Sequence, residues 1–102
     1  MNTKTLTALA LTTLAIVTPA RASHELAQKN SCLSCHTADK KLIGPAYRDV
    51  AKKYTGMKPE ELAKSIKAGG ANRWGPIPMP AQPQLSDHDA LILATWILNG
   101  AK

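Results

Sequence analysis

The chain has no phenylalanine, and aromatic residues make up only 4% of it. An aromatic-rich core is therefore excluded, and the expectation is that something other than side chains fills the middle. Cysteines number two and histidines three. That is too few for a multi-bridge disulfide scaffold or an array of zinc fingers. Acidic side chains are outnumbered, 7 Asp+Glu against 13 Lys+Arg, for a formal charge of +6. A length of 102 residues allows one small domain and not the large sheet that most catalytic architectures need.

The N-terminus has the layout of an export signal. Lys4 stands alone as a positive charge, Leu6 to Val17 is apolar apart from Thr, and Ala20-Arg21-Ala22 puts small residues where signal peptidase reads. The apolar run is too short for a stop-transfer helix. Residues 1–22 are expected to be a cleaved secretory signal and residues 23–102 the functional domain; an anchor that stays attached is the alternative. Cleavage after Ala22 removes Met1 with the signal and leaves 80 residues carrying +4. Domains of that size usually recruit disulfides, a metal or a cofactor. Export permits a disulfide, but a Cys32–Cys35 bridge would close a tiny loop and stabilise little.

The remaining pattern is helical, with no convincing strand alternation. A short helix is expected from His24 to Ser31. Gly44-Pro45 breaks the chain. In Ala46 to Tyr54, one face carries Tyr47, Val50, Ala51 and Tyr54, and Asp49 and Lys53 form an i,i+4 pair. Pro59 suits a first helical position, Glu60, Glu61, Lys64 and Lys67 complement the helix dipole, and Gly69-Gly70 is the stop. Ser86 is an N-cap. From Ala90 to Leu98 only Thr95 is polar, so this last helix needs cover on several sides. Between the last two helices, Trp74 to Pro83 holds four of the seven prolines and reads as a stiff strap.

Cys32-Leu33-Ser34-Cys35-His36 is the Cys-x-x-Cys-His pattern of covalent c-type haem attachment. Thiols three residues apart lie on one side of a helical turn and can both reach the haem vinyl groups. The next residue can then place its imidazole on the iron. A thioredoxin-like redox pair or half of a zinc site are the alternatives. The first needs a sheet, and the second needs further ligands, for which only His24 and His88 remain. Met79 is the candidate for the second axial position, held by Pro78 and Pro80; Met57 is the competitor, and plain packing is the bland reading for both. A Met/His pair favours electron transfer. The Pro45 carbonyl is a candidate acceptor for the free ring N–H of His36. Trp74 is a candidate donor to a haem propionate, with ordinary burial as the alternative.

With these residues in view, the chain resembles a small bacterial class I cytochrome c of the cytochrome c-551 type. The resemblance runs through Cys32-Leu33-Ser34-Cys35-His36, Ile43-Gly44-Pro45-Ala46-Tyr47, Trp74-Gly75-Pro76-Ile77-Pro78-Met79-Pro80 and Trp96-Ile97-Leu98. It implies an all-α fold: four short helices around one covalently bound haem, the terminal helices crossing. It implies His36 and Met79 as axial ligands, Pro45 as acceptor for His36 and Trp74 near a propionate. It also implies a periplasmic shuttle between a quinol-linked cytochrome complex and terminal reductases or oxidases. Two departures stand out. Ser65 occupies a position where relatives often carry a basic residue for a propionate. Met79-Pro80-Ala81-Gln82-Pro83 replaces the usual Met-Pro-Pro-Asn, leaving Gln82 as a possible substitute for the Asn.

The expectation is therefore a monomeric one-electron carrier, with haem c as its one cofactor and no small-molecule substrate. It would dock weakly on redox partners at the haem edge. Lys40 to Lys67 holds eight basic residues against three acids, while Asp87 and Asp89 lie further along. An acidic partner or a membrane-bound complex is favoured, and nucleic acid is not expected in the periplasm. A gas-binding cytochrome with a displaceable Met79 is the alternative from another class; a haem-free redox or zinc protein is a third.

Overall fold

The computed structural model describes residues 3–14 and 16–102; Met1, Asn2 and Ala15 of the expected signal lie outside the described residues. Four helices follow one another: α1 (Pro19–Lys29), α2 (Tyr47–Lys53), α3 (Pro59–Ala68) and α4 (Asp87–Leu98), with a 3₁₀ turn at Cys32–Ser34 between the first two. Among the described residues the only strand-like pairing is a bridge between Gly70 and Met79. The fold is all-α, as expected.

Local chemistry sets most of the ends. Pro59 opens α3, and Gly69 closes it with a positive φ of 67°. The Ser86 hydroxyl accepts from the Asp89 N–H at 3.1 Å and starts α4. Helix α4 is the hub: it packs against α1, α2 and above all α3. Its apolar circumference is used, with Ala90, Leu93, Ala94, Trp96 and Ile97 buried and Thr95 left in solvent. The contact between α1 and α4 brings the terminal helices together.

Three expectations need correction. Helix α1 begins at Pro19, not His24, because Thr18 caps it through a 3.3 Å bond from the Arg21 N–H and Pro19 takes the first turn. It thus crosses the expected cleavage point after Ala22. It also ends at Lys29, because Ser31 adopts a left-handed φ of 62° and redirects the chain into the 3₁₀ turn. The Asp49–Lys53 pair does not form: Asp49 sits 3.8 Å from its chain neighbour Arg48, while Lys53 reaches across to the strap. Finally, Asp87 is not a separate pole of charge. It pairs with Lys67, which holds its carboxyl below the usual carboxylate range.

Before α1, residues 3–14 and 16–18 have no regular structure. Leu6, Leu9, Leu11, Leu14 and Ile16 are each at least 86% exposed, so this apolar run packs on nothing. Among the described residues, no helix is long and apolar enough to cross a membrane.

Candidate functional site

The turn after α1 creates the site's first wall. A 3₁₀ turn has three residues per turn, so residues i and i+3 eclipse. Cys32 and Cys35 occupy those positions, joined by a Cys35 N–H bond to the Cys32 carbonyl at 3.1 Å. Both thiols are free and half-buried, and burial pushes the Cys32 thiol up, which keeps it neutral.

His36 follows directly and is fixed from several sides. Its Nδ1 lies 2.8 Å from the Pro45 carbonyl oxygen. A carbonyl can only accept, so Nδ1 carries a proton, and Nε2 is the nitrogen left to face the cavity. Tyr47 stacks on the imidazole, centroids 5.2 Å apart and planes within 20°. Burial raises the Tyr47 phenol well above its ordinary value, so it stays neutral. Gly44 fits against the same ring: a Cβ there would fall 2.5 Å from Cε1 and 2.8 Å from Nδ1. Gly44→Ala should therefore tilt the ring off Pro45. The expected cost is about 2–3 kcal/mol, seen as a thermal midpoint lower by roughly 10 °C in the holoprotein. An unchanged midpoint would mean that the ring has room to move.

The second wall is the strap. Met79 exchanges both backbone bonds with Gly70: Gly70 N–H to the Met79 carbonyl at 3.0 Å, and Met79 N–H to the Gly70 carbonyl at 2.8 Å. Gly69 makes this pairing possible, since a Cβ there would fall 2.5 Å from the Met79 carbonyl oxygen. Lys53 ties the strap to α2. Its Nζ donates to the Arg73 carbonyl at 2.8 Å and lies 4.3 Å from the Trp74 ring centroid. Gln82 donates its side-chain amide to the Pro80 carbonyl at 3.0 Å and its backbone N–H to Lys67 at 2.9 Å, so its amide serves the strap itself.

Between the walls lies one cavity of about 430 Å³, which falls within the size range of cofactor sites. Cys32, Cys35, His36, Pro45, Trp74 and Met79, all singled out from sequence, line it together, as do Ser65 and Gln82. Val50, Leu62, Ile66, Leu93 and Ile97 give it an apolar floor. Met57 does not line it and packs against the core. His24 and His88 are exposed and do not line it either; among the described residues, no three His, Cys, Asp or Glu converge on a point, which leaves a zinc site without its ligands. The residues present suit a haem: two thiols three residues apart, an imidazole held at Nδ1, a thioether and apolar walls.

Three positions carry structural duties that reading along the chain did not reveal. Gly69 reads there as a helix stop, Gly70 as its neighbour and Lys53 as half of a helix pair. The double-glycine step before a proline strap was the available signal for the first two.

Comparison with known proteins agrees with this geometry. The profile of the family described as Cytochrome c matches residues 20–101. Cytochrome c-552 of Nitrosomonas europaea is 42% identical over 100 residues, covering 96% of this chain and 97% of that one. Cytochrome c-551 of Pseudomonas aeruginosa is 46% identical over 76 residues, covering 72% of each. The crystal structure of wild-type Nitrosomonas europaea cytochrome c552 superposes with a TM-score of 0.70 at 45% identity, over 74% of this chain and 95% of that one. With a helical cleft furnished for haem and these relatives, the chain belongs to the cytochrome c family as a small class I member of the c-551 type, a haem electron carrier with one covalently attached c-type haem.

Proposed function

We propose that the chain is a monomeric periplasmic carrier of single electrons. It would shuttle them from a quinol-linked cytochrome complex to terminal reductases or oxidases. Cys32 and Cys35 would form the two thioether links, and His36 and Met79 would hold the iron. Pro45 holds the His36 tautomer, and Trp74 stands near a propionate. When bound, the haem supplies the ferrous–ferric couple; the chain supplies ligands, an apolar setting and a docking surface. The observation that carries this reading is the convergence on one cavity of two thiols, an imidazole already committed at Nδ1, and a thioether whose backbone is paired at both ends.

With His36 and Met79 both holding the iron, no position on it would remain for a substrate, which fits a carrier rather than an enzyme. The exposed apolar run before α1 supports an export signal removed after Ala22. Docking is weak and steered by the basic stretch from Lys40 to Lys67 toward an acidic partner surface.

The test is the visible spectrum of the reduced, periplasmically expressed protein before and after carbon monoxide. An unchanged low-spin spectrum is expected. A prompt shift would make the gas-binding reading the better one and remove Met79 from its role.

A further inference from the structure

The cleft is lined by apolar side chains and by polar groups that carry no permanent charge, with one exception. No aspartate or glutamate lines it, and Arg73 is its one permanently charged side chain. The other titratable groups facing it are Cys32, Cys35 and His36 at the turn and the phenols of Tyr47 and Tyr54. Ser65, on the α3 wall, offers a hydroxyl and no charge. Lys53, the cation nearest the strap, is turned to the Arg73 carbonyl and the Trp74 face, and it does not line the cavity.

Arg73 is held in its place. Its guanidinium lies against Gly70, where an added Cβ would meet Nε at 3.6 Å and Cζ at 3.8 Å. Gly70 is in turn paired with Met79. The Lys53 bond fixes its carbonyl, and Asn72 before it takes a left-handed φ of 63°. A haem brings two carboxylates into this cleft, and charged groups leaving water need a partner.

We propose that Arg73 is the propionate-binding residue of this chain and that Lys53 is the positioning residue that holds its segment in place. The proposal rests on the haem occupying the cleft as described above. A guanidinium beside the propionate keeps that carboxylate ionised to lower pH and offsets its charge near the iron. The charge offset favours the ferrous state at neutral pH, and the lowered propionate pKa keeps the potential from changing on acidification.

The test is the midpoint potential of the holoprotein from about pH 5 to about pH 9, across the range where an unpaired propionate would titrate. Wild type, Arg73→Gln and Arg73→Lys are compared, with Arg48→Gln as a charge control, since Arg48 lines a separate surface cavity. Wild type should be flat. Arg73→Gln should favour the ferric form by roughly threefold to tenfold at neutral pH, and its potential should climb on acidification as the freed carboxylate takes up a proton. Arg73→Lys should recover much of the neutral-pH value, and Arg48→Gln should stay near wild type. If Arg73→Gln matches wild type, or shifts no more than Arg48→Gln and stays flat, the assignment is wrong. Low-spin spectra unchanged by carbon monoxide in all four proteins would then place the failure on Arg73 alone and leave the axial-ligand reading intact.

Discussion

Gly69→Ala is expected to turn a sealed haem iron into one that takes up carbon monoxide. At φ 67° and ψ −165°, Gly69 occupies a backbone region that is essentially reserved for glycine, costing about 1–3 kcal/mol for any other residue. A Cβ would also fall 2.5 Å from the Met79 carbonyl oxygen and 2.7 Å from both the Ala81 nitrogen and the Pro80 carbonyl carbon. These are backbone atoms, so no side-chain rotation relieves the overlap. The overlap adds about 1–3 kcal/mol unless the Met79–Ala81 backbone moves, and moving it breaks the pair with Gly70. Carbon monoxide should then shift the reduced spectrum, and the thermal midpoint should drop by roughly 10–20 °C. Gly70→Ala is the control: its nearest neighbour is the Arg73 side chain at 3.6 Å, so the site should stay closed. A Gly69→Ala protein with the wild-type spectrum and midpoint would show that the strap holds Met79 without this close approach.

Removal of the haem is expected to abolish cooperative folding. Among the described residues the buried apolar set has thirteen members, and five of them are alanines, at positions 27, 46, 63, 90 and 94. Such a core is thin, and much of it faces the cavity. Left empty, the 430 Å³ cleft leaves its apolar floor of Val50, Leu62, Ile66, Leu93 and Ile97 facing water and without the packing that the haem would supply. A domain of about 80 residues has only about 4–12 kcal/mol of total stability. A Cys32→Ala/Cys35→Ala double variant, purified without haem, should show weak helical circular dichroism and no sigmoidal melt. A cooperative melt would mean that the walls collapse onto each other and that the haem is not what supports them.

What could be read along the chain was what short-range chemistry decides. Pro59 and Ser86 mark helix starts because their effects act within one turn. The His36–Pro45 contact was suggested by the Gly-Pro break, which alone marks only a turn, and was carried by the resemblance to class I cytochromes c. Met79 stood out against Met57 through its prolines. The misses have a common physical origin in contacts between distant segments. An exposed i,i+4 pair contributes only about 0.3–0.5 kcal/mol, so a carbonyl and an indole face on the strap readily win Lys53 from Asp49. Asp87 finds Lys67, 20 residues away, because α3 and α4 pack together. The start of α1 was hidden for another reason. Thr18, Pro19 and the small residues after them serve equally well as the end of an export signal and as a helix cap.

The pairing of Met79 with Gly70 also bears on how long the iron stays covered. A ligand on a free loop would leave and return on the nanosecond-to-microsecond scale of loop motion. Here the sulfur is mounted in series with a helix, because its backbone is bonded just past the last turn of α3. With Met79 as ligand, departures that carry the backbone would require local opening at the α3 C-terminus. On that ligation, mutations far from the haem that loosen the α3 C-terminus should raise the access of small gases to the iron.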